Sequence, residues 1–163
     1  MKTSVKIISV FAASIFLIST QCRDNDNLHN TIKIMNHSDR GFYFLDKNVY
    51  YDYIERDSLF IPGYNPTSDK LNTYCSAGKS NTLYTRSAFE GAFQGKVKAK
   101  YLHVILFDED IIHTVPWDTI RKNIMTLKRY YLTLEDLQRL DWKITYPPTE
   151  AMKDVVQYPP YGE

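Results

Sequence analysis

The chain has 163 residues, of which 44% are hydrophobic and 24% charged, with a formal net charge of +1 and two cysteines. This length suits a single domain whose core needs no disulfide support. The near-zero net charge and the lack of a long run of Lys and Arg argue against nucleic acid as a partner.

The chain opens with a positively charged segment containing Lys2 and Lys6, followed by an apolar run at residues 7–18. A transmembrane helix needs about 20 apolar residues, so this run is too short to span a bilayer. Positive residues before a short apolar run are typical of a secretory signal. We therefore predict a signal peptide over residues 1–21, whose removal would take the net charge to −1 because two lysines are lost.

Cys22 directly follows this signal, and residues 1 to about 27 resemble a bacterial lipoprotein signal. The resemblance implies that Cys22 is acylated, becomes the first residue and holds the chain on a membrane of the cell envelope. Residues 22–29 are then a flexible tether, polar as a solvated segment should be. Its acidic start is similar to the export tag of some Gram-negative outer-membrane lipoproteins, which implies the outer membrane, on its periplasmic or surface face. The alternative is ordinary cleavage near Ser19 or Thr20.

Residues 30–149 are predicted to form the globular domain, and their first elements are extended. Alternation over residues 31–35, a polar turn and a second extended run at residues 41–45 predict a β-hairpin. Residues 62–81 are rich in Gly, Pro, Asn, Ser and Thr, which indicates a long surface loop. Residues 87–93 are a weaker helix prediction. The alternation of Lys96, Lys98 and Lys100 with small apolar residues is typical of the solvent face of a strand.

The second half of the domain has the strongest strand signal, the almost continuously apolar run at residues 101–107. Such a run suits a strand buried on both faces, and residues 111–115 are predicted to return as its partner. Further strands are predicted at 128–132 and 142–146. Helices are predicted at 116–125, which opens on a proline, and after Thr133, whose spacing to Asp136 indicates a capping arrangement. Residues 150–163 are predicted to be a loosely held tail.

These elements predict a mainly β, single-domain sandwich-like fold with two or three short helices. The alternative is an α+β sheet with helices on one side. The domain also resembles a group of small Gram-negative lipoproteins. The residues that carry the resemblance are Ile34-Met-Asn-His-Ser-Asp39, the run from Tyr101 to Asp108 and, most specifically, residues 127–147. The group has no known activity, so the resemblance implies location and little else.

Few residues indicate a particular chemistry. Cys75 has no histidine nearby in sequence, so we expect a buried, inert thiol. Gly78-Lys79-Ser80 has the end of a phosphate-binding loop, but Thr73 stands where that loop needs its first glycine; we therefore interpret it as a glycine turn. The acids at 108–110 lie between His103 and His113 and make Asp108 and Asp110 weak candidates for a hard cation, although a solvated acidic turn explains them equally well. We predict no cofactor.

Tyrosine is unusually frequent, with 13 residues. Six tyrosines gather before and within the long loop: Tyr43, Tyr50, Tyr51, Tyr53, Tyr64 and Tyr74. Of these, Tyr50, Tyr51, Tyr53 and Tyr64 form the predicted binding surface, because exposed tyrosines offer broad contact area with a polar rim. Several tyrosines could instead fill the core. We expect a non-catalytic domain that binds an envelope protein. The alternatives are a glycan-binding accessory protein and a hydrolase, which would need a cleft where acids 108–110 or a histidine converge.

Overall fold

The structure is a computed structural model that describes residues 28–49 and 73–163. This part of the chain forms eight strands: β1 (Thr31–Asn36), β2 (Phe42–Val49), β3 (Tyr74–Cys75), β4 (Ser80–Tyr84), β5 (Tyr101–Asp108), β6 (Lys128–Leu132), β7 (Lys143–Tyr146) and β8 (Val156–Tyr158). It also forms four short helices, α1 (Phe89–Gln94), α2 (Glu109–Thr114), α3 (Trp117–Asn123) and α4 (Leu134–Arg139), and a 3₁₀ helix (Glu150–Met152). The predicted mainly β class is confirmed. Among the described residues, no helix is long and apolar enough to cross a membrane.

The strands form two sheets that pack into a sandwich-like domain. The first sheet has the order β4-β1-β7, in which β1 is antiparallel to β4 and parallel to β7. The second sheet has the order β3-β2-β5-β6-β8 and is antiparallel throughout. The predicted hairpin between residues 31–35 and 41–45 is wrong, because β1 and β2 belong to different sheets and the turn between them carries the chain across the sandwich.

The main core lies between the two sheets. Ile32 and Ile34 of β1 share one buried cluster with Leu102, Val104 and Leu106 of β5. Helices α1 and α4 add Phe and Leu side chains to this cluster.

The opposite face of the second sheet is also covered. Ile105 and Phe107 of β5 point there and pack with Ile112 of α2 and Ile120 of α3. The prediction that residues 101–107 form a strand buried on both faces is therefore confirmed, and two apolar faces explain why its sequence shows no polar alternation.

Helix capping explains several element boundaries. The Thr133 hydroxyl accepts a hydrogen bond from the Asp136 backbone N–H at 3.0 Å, and the Asp136 carboxylate accepts one from the Thr133 N–H at 3.1 Å. This reciprocal pair confirms the predicted capping arrangement. Pro116 precedes the first residue of α3, as its fixed φ favours. The helix and strand predictions at 87–93, 128–132 and 142–146 correspond to α1, β6 and β7.

The predicted return strand at residues 111–115 is wrong, because these residues lie mainly in α2. The Asp108 side chain accepts hydrogen bonds from the backbone N–H groups of Asp110 and Ile111 at 2.9 and 3.2 Å. These two groups would otherwise lack partners in the first helical turn, so the cap starts a helix where alternation alone allowed a strand.

Two further expectations differ from the structure. Residues 95–100 are not a strand; the chain bends back on α1, where Ala99 N–H donates to the Ala92 carbonyl at 2.7 Å. The C-terminal residues are not a loose tail, because Met152 and Val155 are buried and β8 pairs with β6. Apolar burial and strand pairing hold this segment on the domain.

The sandwich has two distinct ends, fixed by strand direction. Residue 28 leads into β1 at the end where Thr31 pairs with Tyr84 and where Tyr101 pairs with Val49; we call this the entry end. At the other end Phe42 pairs with both Cys75 and Asp108; we call this the far end. The Asn36 amide, at the end of β1, donates to the Cys75 carbonyl at 3.1 Å and so joins the two sheets at the far end.

Candidate functional site

An open cleft of about 490 Å³ lies at the far end of the sandwich. It is built from the turn after β1, the residues around β3 and the junction of β5 with α2. Its lining is mainly polar and consists of Asp39, Arg40, Gly41, Tyr74, Ser76, Ala77, Asp108, Glu109 and Asp110.

Asn36 builds the first wall of the cleft. Its side chain is fully buried and donates to the Arg40 carbonyl at 2.7 Å as well as to Cys75. Its carbonyl oxygen accepts hydrogen bonds from the Ser38 N–H at 2.9 Å and the Ser38 hydroxyl at 2.7 Å. This local network closes the turn and leaves Asp39 and Arg40 exposed at the rim.

Gly41 allows the second wall to approach. A Cβ atom at this position would collide with the Tyr74 Oη and lie 2.5 Å from the Glu109 Oε2. These two side chains meet over the glycine, where the Tyr74 hydroxyl donates to the Glu109 carboxylate at 2.9 Å. The contact ties β3 to the start of α2 and leaves room for no side chain at residue 41.

Negative charge dominates the cleft, which contains four carboxylates and one guanidinium. Arg40 makes no ion pair with any residue that the structure describes. The pKa of Tyr74 is raised, first because its hydroxyl donates a hydrogen bond to the Glu109 carboxylate. The pKa of Tyr146 is raised first by burial and then by the charges of Asp108 and Asp39. The arrangement favours a ligand that brings positive charge and hydrogen-bond donors.

An aromatic row lies beside the cleft. The Tyr43 ring packs at 5.1 Å from the Tyr74 ring and edge-on at 5.7 Å from the His113 ring, measured between centroids. The Tyr43 hydroxyl lies 3.2 Å from His113 Nε2. These rings extend the cleft wall with surface that offers both apolar contact and polar atoms.

The cleft contains the acidic residues that the sequence singled out, each in a distinct role. Asp108 uses one oxygen to cap α2 and Glu109 is bonded to Tyr74, whereas Asp110 is exposed. Within residues 28–49 and 73–163, no group of three or more His, Cys, Asp or Glu side chains is arranged to hold a metal.

The two histidines are not placed as the predicted hairpin required. His113 lies on α2, near the cleft. His103 is buried in β5, where it stacks on the Tyr131 ring at 4.1 Å. Burial, with the nearby charges of Arg129 and Lys47, lowers the pKa of His103 to about 3. His103 is therefore a neutral core residue.

Cys75 and the glycine turn lie beside the cleft as structural elements. The thiol is buried, which raises its pKa, and it lies 3.5 Å from the Lys79 carbonyl. Gly78 has φ 66° in the turn before β4, a conformation that glycine adopts without strain. Cys75 is thus a buried thiol, and Gly78 lies in a glycine turn.

The other predicted site residues, Cys22, Tyr50, Tyr51, Tyr53 and Tyr64, lie outside the described residues. Sequence reasoning missed Asp39, Arg40 and Gly41 as site residues, and it grouped Tyr74 with the other tyrosines without linking it to the acids. These residues reach the cleft from two separate turns. The sequence signal for them was local: Asn36 is followed by a polar turn that ends at Gly41.

The hydrolase hypothesis required a cleft lined by acids 108–110, and this cleft is lined by them. However, one oxygen of Asp108 and one of Glu109 are engaged in contacts that hold the wall together. Asp110 makes no such side-chain contact within the described part of the chain and stays exposed, and general acid–base chemistry needs a carboxyl group positioned to exchange a proton with substrate.

Comparison with known proteins gave no match: no protein-family model fits the chain, and no curated protein or solved structure was found to be similar.

Proposed function

We propose that this protein is an envelope lipoprotein, anchored through Cys22, whose far-end cleft binds a basic segment of a partner protein. The observation that carries the proposal is the open, acidic and aromatic-flanked cleft at the end of the domain opposite the point of chain entry. The fold supplies a rigid frame for this cleft, as binding sites on sheet ends require.

The anchor follows from the first part of the sequence. A positive start, a short apolar run and Cys22 followed by polar residues are what a lipoprotein signal needs. Leu28 comes six positions after Cys22, which at about 3.3–3.6 Å per residue gives a maximum reach of about 20 Å. An anchor on the entry side leaves the cleft directed away from the membrane and open to partners.

The chemistry of the partner follows from the cleft. Asp39 and Asp110 are exposed carboxylates with no ion-pair partner among the described residues. Lys and Arg side chains of a partner would bind these carboxylates through charge-assisted hydrogen bonds. The net negative charge of the cleft would also speed the encounter with a basic surface.

A glycan is the second candidate, favoured by Tyr74 and Ser76 beside carboxylates in an open cleft. Sugar hydroxyls bind to carboxylate oxygens, and a tyrosine ring offers a face for stacking. A glycan ligand without positive charge would bind independently of salt, whereas a basic protein segment would not.

The test is a crosslinked pull-down of the tagged full chain from intact envelopes. We expect one stoichiometric partner with the wild type, and loss of the protein from the membrane fraction for Cys22→Ala. The double variant Asp39→Asn/Asp110→Asn should lose most of the partner, whereas Glu135→Gln/Asp154→Asn removes the same charge from exposed sites elsewhere and should retain it. Equal capture by both double variants would contradict binding in the cleft.

A further inference from the structure

The entry end of the sandwich carries a second unusual surface, opposite in charge to the cleft. Three large apolar side chains are exposed there: Leu28 at 52%, Tyr84 at 65% and Val97 at 71%. Three exposed basic residues, Arg86, Lys96 and Lys98, lie in the same stretch of structure. We call these six residues the entry face.

The topology places all six residues at the entry end. Residues 85–100 connect the last residue of β4 to the first residue of β5, and both lie at the entry end. Hydrogen bonds hold this connection against the incoming chain: the Phe89 N–H donates to the His29 carbonyl at 2.8 Å, and the Thr85 N–H donates to the Asn30 carbonyl at 3.0 Å. The buried Glu90 carboxylate accepts hydrogen bonds from the His29 N–H at 2.9 and 3.1 Å.

Among residues 28–49 and 73–163, no carboxylate pairs with the charges of the entry face. Arg86, Lys96 and Lys98 make no ion pair with the residues that the structure describes. Most carboxylates near this end already have partners: Glu90 with His29, Asp136 with Arg139 and Asp141 with Lys143. Glu135, at the start of α4, is the exposed exception, so within the described part of this end three basic side chains stand against one acidic side chain.

Basic and apolar side chains that alternate on one exposed surface fit an anionic bilayer. Lys and Arg are attracted to anionic headgroups, while neighbouring apolar side chains enter the headgroup boundary. The tether attaches at this same surface, since Leu28 is both the first described residue and a member of the entry face. A tether of about 20 Å keeps the face within reach of the bilayer.

We infer that the entry face docks on an anionic phospholipid surface and orients the anchored domain. The inference rests on the lipid anchor proposed above. It adds a second, weaker membrane contact to that of the lipid. Docking fixes the domain with the cleft pointing away from the bilayer, instead of leaving it to rotate on the tether.

The test uses the mature protein purified from envelopes and reconstituted in vesicles of phosphatidylcholine alone or with 30% phosphatidylglycerol (about one lipid in three, enough for a strong surface potential). Hydroxyl-radical oxidation of Leu28, Tyr84 and Val97 reports docking, and Tyr161, exposed outside the entry face, is the internal control. We expect slower oxidation of the three reporters only with phosphatidylglycerol, and recovery of their oxidation at high salt.

Two charge variants sharpen the test. Lys96→Gln/Lys98→Gln should lose most of the protection, because two lysines contribute on the order of 30-fold to the ratio of docked to undocked protein. Lys79→Gln/Lys122→Gln removes the same charge from exposed lysines elsewhere and should stay protected. Equal oxidation in both vesicle types, or equal protection of the two variants, would overturn the inference.

The anchor and the docking can fail separately. The mass of the N-terminal peptide shows whether Cys22 carries lipid. Lipid on Cys22 without phosphatidylglycerol-dependent protection refutes docking alone. Protection of protein whose Cys22 carries no lipid refutes the anchor and leaves the docking face established.

Discussion

Gly41→Ala is the sharpest test of how the cleft is built. The φ angle of Gly41 lies outside the left-handed region, so alanine can adopt the backbone conformation. Its Cβ atom, however, would collide with the Tyr74 hydroxyl and the Glu109 carboxylate and would lie 2.7 Å from Cε2 of the Tyr74 ring. All three atoms belong to side chains and none to the backbone, so we expect the Tyr74 ring and the Glu109 carboxylate to move apart and to lose their 2.9 Å hydrogen bond.

The magnitude follows from two opposing effects. A hydrogen bond to a charged group contributes about 1.5–3 kcal/mol to stability. Replacing glycine by alanine at a compatible backbone position returns about 0.4–1 kcal/mol by restricting the unfolded chain. The lost hydrogen bond exceeds the entropy gain, so Gly41→Ala should lower the free energy of unfolding by about 1–2 kcal/mol.

A double-mutant cycle in urea, followed by tryptophan fluorescence, identifies the cause. Tyr74→Phe removes the hydroxyl that collides with the new methyl group and also removes the hydrogen bond. Gly41→Ala should therefore cost the Tyr74→Phe protein less than it costs the wild type, and the cost that remains comes from the ring edge and the Glu109 carboxylate. Purely additive effects would refute the proposed link between Gly41, Tyr74 and Glu109.

Three further predictions concern groups outside the cleft. The pKa of His103 falls from 6.5 to about 3 on folding, so the unfolded chain binds more protons than the folded chain between these pH values. The free energy of unfolding should therefore drop by roughly 1.4 kcal/mol per pH unit as the pH falls through this window. His103→Leu should flatten this pH profile, measured by urea unfolding. Glu90→Ala should destabilise by about 2 kcal/mol, since the His29 N–H loses a charged acceptor, whereas the exposed Glu150→Ala should change the unfolding midpoint little. The Cys75 thiol is buried with a raised pKa, so it should react with a thiol reagent only after denaturation; rapid labelling of the native protein would contradict this.

The elements predicted well from sequence were those whose signals are local. The capping spacing of Thr133 and Asp136, the proline before α3 and the apolar run of β5 each depend on neighbouring residues alone, and the structure has all three. The strand prediction for residues 111–115 is wrong because five residues fit both the two-residue period of a strand and the 3.6-residue period of a helix. The local signal for the helix is Asp108, which caps α2.

The wrong strand pairing and the incomplete prediction of the site have a different cause. β1 pairs with β4 and β7, which are distant in sequence, and the Asn36 amide at its end reaches the carbonyl of Cys75, 39 residues away. The cleft wall likewise depends on Tyr74 meeting Glu109, 35 residues apart, over Gly41. No periodicity within a short window encodes such pairs, so the sequence indicated acids near residue 108 without their aromatic and glycine partners.

The two charged surfaces favour the same orientation of the domain. The six residues of β1 separate the entry face from the cleft by about 20 Å, more than twice the Debye length of about 8 Å at physiological salt. With the entry face on anionic lipid, the cleft carboxylates therefore experience little repulsion from the headgroups and keep their attraction for a basic partner. In the inverted orientation, the four carboxylates of the cleft would face the anionic surface and be repelled by it. The three basic residues of the entry face would face water and lose their attraction to the headgroups. The charge distribution of the domain thus makes binding in the cleft and docking of the entry face mutually compatible, and a partner that neutralises the cleft would leave the membrane contact unchanged.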